Sequence, residues 1–114
     1  MWSVEYDPDF KEWLGVQPYD VRKGVAVAVV ALQARGPQLD RPYCDTVKGS
    51  AFPNLKELRV KVDRRPYRVL FAFDPRRSAI LLVGGDKGSD ARWYKVNVPI
   101  ADARYRRHLA NLKP

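Results

Sequence analysis

The stretch "LKELRVKVDRRPYRVLFAFDPRR", Leu55 to Arg77, sets cations among residues that should build a core. Read as two strands, it puts Leu58, Val60 and Val62 on one face of the first and Glu57, Arg59 and Lys61 on the other. In the second strand Tyr67, Val69, Phe71 and Phe73 point inward, with Arg68, Leu70, Ala72 and Asp74 opposite. Arg59 and Arg68 therefore share an outward orientation on adjacent strands. A guanidinium is a planar fork that grips a phosphate through two hydrogen bonds, so this pairing suits a phosphate clamp. The competing reading is a set of cross-strand ion pairs with Glu57 and Asp74.

The charge distribution points the same way. The formal net charge is +8, yet residues 1–54 carry six cations and seven anions. The excess lies beyond Asn54, and a basic half joined to a neutral half is the footprint of a polyanion-binding surface. Other chemistries find no support. One histidine excludes a two-histidine ribonuclease site, and "GGDKG" lacks the spacing of a P-loop or dinucleotide turn. Nothing resembles a cysteine and histidine metal cluster, and no cofactor is expected. The tryptophans Trp2, Trp13 and Trp93 are expected in the core.

The single cysteine, Cys44, has no internal disulfide partner, which points to a reducing compartment. "MWSVEYDPDF" does not read as a signal peptide, and "VAVAVVAL" is too short to span a bilayer. A chain of 114 residues is one domain by size, 1–114, expected to be cytoplasmic with no membrane contact.

These residues need a scaffold. "WSVEY" alternates as a strand, and Asp7 before Pro8 predicts the start of a short helix ending at Gly15. A second helix is predicted over 18–35, with Val21, Val25, Val29 and Leu32 on its core stripe and "RGP" ending it. Val27, Val30, Ala31 and Ala34 widen its apolar surface beyond what one core face uses. Residues 37–54 read as a long surface loop. Strands follow at 55–62 and 66–74, with turns at "DRRP" and "DPRR". A third, "SAILLVGG", is apolar on both faces as a central strand should be. "ARWYKV" is open between helix and strand. "PIADARYRRHLANL" predicts a last helix with Ala101, Tyr105, Leu109 and Leu112 inward and Arg104, Arg106 and Arg107 outward. The fold class is α+β: a two-layer, mainly antiparallel sheet with two N-terminal helices on one face and a C-terminal helix. The uncovered face is expected to carry Glu57, Arg59, Lys61 and Arg68.

The ordered set "NLKELRV", "RPYRVLFAFDPRR", "LLVGGDK", "RWY" and "PIADARYRRHL" resembles the phage-derived HigB-like toxins of the RelE superfamily, over about 10–112. The resemblance implies a RelE-like fold and the toxin of a type II toxin–antitoxin pair that cleaves mRNA on the ribosome. It also implies a cognate helix-turn-helix antitoxin, with DNA contacted only through that antitoxin. Its working residues are cations and a late aromatic, which match Arg59, Arg68, Lys87 and Tyr94. Arg64 and Arg65 fall where a basic hairpin turn occurs, and Lys56, Lys61, Arg76 and Arg77 extend the expected RNA contacts.

Cleavage by internal attack needs a base for the 2′-OH, cations for the phosphorane and an acid for the leaving oxygen. Arg59 and Arg68 suit the second task. Among cations Glu57 makes a weak base, which favours Lys87 for proton transfer. Tyr94 suits stacking or proton transfer, or a core plug beside Trp93. His108 is expected at the surface or against a partner. So few ordinary catalysts fit an enzyme that borrows the ribosome to position its substrate. The alternatives are a non-catalytic RNA- or ribosome-binding module, or a degenerate toxin kept as an antitoxin-binding scaffold.

Overall fold

The computed structural model describes residues 1–112. Strand β1 (Ser3–Tyr6) leads into helix α1 (Pro8–Gly15), where Pro8 occupies the first turn. The Asp7 carboxylate caps that turn, accepting the amides of Asp9 at 2.9 Å and Phe10 at 3.3 Å. Helix α2 (Tyr19–Arg35) buries Val21, Val25, Val29 and Leu32, the stripe its spacing predicts. It stops at Gly36, whose φ of +56° is accessible to glycine at little cost. The Trp2 indole lies 2.4 Å from where a Cβ would stand there, so a side chain is also sterically barred.

Four more strands complete one sheet: β2 (Cys44–Thr46), β3 (Lys56–Val62), β4 (Arg65–Phe73) and β5 (Ser78–Asp86). Their order is β1-β5-β4-β3-β2, antiparallel except for the β1–β5 pair. The three long strands and their turns stand where alternation predicts them. The 37–54 stretch is not only a loop. It contains β2, which pairs with the first half of β3 because Cys44 is buried against Leu58. The β3–β4 hairpin closes through Asp63 and Arg64, both at positive φ (50° and 66°), the backbone that matches strand twist in a two-residue turn.

Helix α3 (Arg92–Ala110) settles the open segment as helix and begins seven residues before Pro99, which sits inside it. Pro99 carries no amide for the Lys95 carbonyl, a local loss that α3 offsets by burying Val98, Ala101 and Tyr105. The helix packs on the sheet face opposite α1 and α2. One core therefore joins Phe10, Val25, Val29, Leu32, Leu58, Val69, Phe71 and Leu81, and a second joins Leu70, Ala72, Ile80, Leu82, Val98 and Tyr105. Each fully buried leucine or phenylalanine contributes about 1.5–3 kcal/mol, so Leu70 and Leu82 alone anchor α3 firmly. The face expected to be uncovered is thus partly covered, and its β2–β3 end stays open above Glu57 and Arg59.

Two cations expected to point outward from α3 are structural ties. Arg104 Nη1 donates to the Leu82 carbonyl at 2.8 Å. Arg107 bridges Asp7 at 2.6 Å and Asp9 at 3.0 Å, joining α3 to the start of α1. The buried Asp102 accepts the Ser50 hydroxyl at 2.5 Å and the Ala51 amide at 2.8 Å, pinning the loop after β2 onto α3.

Candidate nucleic-acid interface

Register decides which cations meet. Arg59 and Arg68 are direct partners across β3 and β4, and Arg68 in turn faces Gly85 on β5. The neighbouring row is Lys61, Pro66 and, through its amide to the Pro66 carbonyl at 3.0 Å, Lys87. The row on the other side pairs Glu57 with Leu70 and Leu70 with Val83. The ladder jumps between Leu70 and Phe71, so Leu82 is an extra residue on β5. That bulge turns Gly85 toward α3, and the Trp93 indole fills the space a side chain would need, 2.9 Å from where a Cβ would stand.

Glu57 is the hub. It is 4 % exposed and carries three donors around its carboxylate. Arg59 Nε donates to Oε2 at 3.0 Å, the Tyr94 hydroxyl donates to Oε1 at 2.5 Å, and Arg68 Nε lies 3.7 Å from Oε1. Arg68 Nε is buried and has no hydrogen-bond partner among the described residues, while its Nη1 donates to the Tyr67 carbonyl at 3.1 Å. Arg59 Nη2 reaches a second carboxylate, Asp45 Oδ2 on β2, at 3.2 Å. The ion-pair reading of the two arginines thus holds for Glu57. Asp74, the other partner weighed, binds elsewhere.

These groups bound a hollow of about 350 Å³ lined by Asp45, Thr46, Val47, Lys48, Glu57, Arg59 and Tyr94. Glu57 forms its floor, Arg59 and Tyr94 its walls. The hydrogen bond to Glu57 raises the Arg59 pKa further, so this cation is permanent. Burial first, and the bond to Glu57 second, raise the Tyr94 hydroxyl above its usual 10.0, which keeps it protonated and a donor at neutral pH. The hollow therefore offers the Arg59 cation and a hydroxyl donor around one carboxylate, with Arg68 held against the same carboxylate but not in the lining. That arrangement is suited to holding a phosphodiester and moving protons beside it.

The other expected contacts divide by position. Lys61, Arg64 and Arg65 surround the β3–β4 turn on the Arg68 side and are exposed. Lys56 alternates with Glu57 onto the α2 face, where its ammonium meets the Pro37 carbonyl at 3.5 Å. Arg76 and Arg77 belong to the turn at the far end of β4, and Arg77 lies 4.7 Å over the Trp2 ring. His108 is not a surface group. Its Nε2 lies 2.8 Å from Asp74 Oδ2, whose side chain is fully buried, and its ring stacks on Tyr105. Asp45, Thr46 and Lys48 escape sequence reasoning because they lie in the stretch read as loop; the alternation in "YCDTV" is the one signal for them.

A mainly antiparallel five-stranded sheet between two N-terminal helices and one C-terminal helix is the α+β fold of RelE-type proteins. An arginine-to-alanine double mutant of the E. coli toxin RelE, solved in the free state, superposes with a TM-score of 0.58 over 98 % of both chains at 12 % identity. The chain belongs to the family of phage-derived Gp49-like proteins, which it matches over residues 12–106. It is 46 % identical over 105 residues to a Mycobacterium tuberculosis protein named "Putative toxin HigB3", covering 91 % of this chain and 90 % of that one. A second protein of that organism, "Putative toxin HigB2", is 40 % identical over 98 % of this chain and 56 % of its own length.

Proposed function

We propose that this protein is the toxin of a type II toxin–antitoxin pair and inhibits translation as a ribosome-dependent mRNA endoribonuclease. The observation that carries the reading is the Arg59–Arg68 pair beside Tyr94 and Glu57 at the open β2–β3 end of the α3-covered sheet face. Arg59 and Arg68 hold the scissile phosphate and the charge that grows on it. Lys61, Arg64 and Arg65 guide the flanking backbone. Glu57, Lys87 and Tyr94 are the candidates for proton transfer, and Tyr94 enters as a donor because its hydroxyl stays protonated. Histidine takes no part, since His108 is spent on Asp74. With so few catalysts, orientation of the mRNA by the ribosome supplies much of the rate.

The antitoxin partner docks on α2. Val27 and Val30 are 63 % and 64 % exposed, and a groove of about 670 Å³ runs between α2 and β3 beside them. Its floor is apolar (Ala28, Ala31, Leu39, Val60, Val62), and four cations, Lys23, Arg35, Arg59 and Lys61, outnumber Asp20 and Asp63 around it. That combination fits a partner segment with an apolar face and acidic flanks.

The test is induction in a bacterium followed by mapping of mRNA 5′ ends, together with cleavage assays on naked and translated RNA. New 5′ ends inside translated frames, with poor cleavage of naked RNA, are expected. Growth inhibition without new ends would leave a ribosome-binding module, and rapid cleavage of naked RNA would reject ribosome dependence.

A further inference from the structure

Asp45 sits on the edge strand β2, and its Oδ2 touches two cations at once. Arg59 Nη2 lies at 3.2 Å, and Arg41 approaches through Nε at 3.1 Å and Nη2 at 3.0 Å. Glu57 holds Arg59 through Nε and Asp45 holds it through Nη2, so the two carboxylates take two different donors of one guanidinium. Asp45 is the more exposed of the two, 22 % against 5 %, so its donor is the one an incoming phosphate can reach by exchange.

We propose that Asp45 is a resident counter-anion that competes with RNA phosphate for Arg59 and so sets how tightly the clamp takes its substrate. Arg41 is the alternative partner that keeps the carboxylate neutralised once RNA arrives. The inference rests on the reading of Arg59 as a phosphate ligand.

The two carboxylates around Arg59 differ in what their displacement would cost. Glu57 has a side chain 5 % exposed and serves Arg59 and Tyr94 together, so moving it would strand a buried charge. Asp45 is 22 % exposed, and on leaving Arg59 it keeps both contacts to Arg41, whose side chain is 73 % exposed. Exchange of Asp45 for phosphate therefore leaves every charge paired. A phosphate that reaches Arg59 with Asp45 in place instead meets a like charge within a few ångströms. The Asp45 Oδ1 bond to the Thr46 amide at 2.9 Å keeps the carboxylate near its strand, so it yields without leaving the rim.

The experiment measures binding of a single-stranded 2′-O-methyl RNA, which lacks the attacking hydroxyl, by fluorescence anisotropy at low salt. Asp45→Asn should tighten binding roughly two- to fivefold, the factor an exposed ion pair contributes. Arg41→Ala should weaken it, because Asp45 then turns wholly to Arg59. The double variant Asp45→Asn with Arg59→Ala should show no gain over Arg59→Ala alone. Unchanged or weaker binding by a folded Asp45→Asn protein, with Arg59→Ala still impaired, overturns the proposal by itself. If Asp45→Asn does not fold, Arg41→Ala decides, and binding at or above the wild-type level overturns it. Wild-type binding by Arg59→Ala removes the clamp reading and this inference with it.

Discussion

Arg59 and Arg68 stand directly opposite each other in the β3–β4 ladder, two like charges on adjacent strands, with the buried Glu57 carboxylate as their shared counter-ion. Like charges so placed repel, and a protein keeps them together only where another group offsets the cost. Here Glu57 serves both arginines and also receives the Tyr94 hydroxyl, while Asp45 adds a second carboxylate on Arg59.

Arg59→Ala and Arg68→Ala should each abolish growth inhibition, since each removes one of the opposed cations. Arg68→Ala should cost more stability because its side chain is only 14 % exposed beside the buried Glu57. A loss on the order of 10²–10³ in cleavage rate is expected for one missing charge-stabilising donor. Glu57→Gln should cost stability as well, on the order of 3 kcal/mol, because the largely buried Arg68 loses its carboxylate while Arg59 keeps only Asp45. Growth curves at matched expression and urea unfolding measure the two effects. Full toxicity of both arginine variants would remove the clamp.

Val27→Lys with Val30→Lys tests the antitoxin surface. Both side chains are more than half exposed, so the free protein should lose no more than about 0.5 kcal/mol. The complex with the antitoxin should weaken at least tenfold by titration calorimetry. Unfolding of the isolated variant with unchanged partner affinity would mean that the stripe is core and the interface lies elsewhere.

His108→Ala separates structure from chemistry. The ring braces Asp74, whose Oδ1 also accepts the amides of Arg76 at 2.8 Å and Ser78 at 3.0 Å. Removing it should lower stability by about 1–3 kcal/mol, the cost of a buried polar group losing a partner. Cleavage per folded molecule should be unchanged. A collapse of activity in the folded variant would put His108 back among the catalysts.

Alkaline pH should weaken the fold through Cys44. Burial pushes this thiol from 9.0 up to about 11, so the folded state holds its proton more tightly than the unfolded chain. The stabilisation is complete below pH 9 and is lost as pH rises toward 11, to a total of about 2–3 kcal/mol. Cys44→Ala should flatten that slope in denaturant titrations between these limits. It should also abolish what little thiol labelling the native protein shows. A slope unchanged by the substitution would assign the pH dependence to other groups such as Tyr94, whose hydroxyl shifts in the same direction.

Local chemistry was enough to read the helix α1 cap at Asp7, the α2 core stripe, the three long strands and the faces of Glu57, Arg59 and Arg68. A strand's alternation and a helix's period are properties of the chain itself, and they survive without knowledge of neighbours. Other features were invisible to such reading. Pro99 looks like a helix start until α3 is seen burying Val98 and Trp93 packs beside Gly85. Asp45 looks like loop until Cys44 pairs with Leu58. His108 and Asp74 are 34 residues apart, and Arg107 and Asp7 are 100 apart. Which cations gather beside Tyr94, and which are spent at the far turn or on the α1 terminus, follows from strand register, the bulge at Leu82 and the docking of α3. Those are long-range contacts, chosen by the burial of whole faces against one another, and no window of sequence contains both partners.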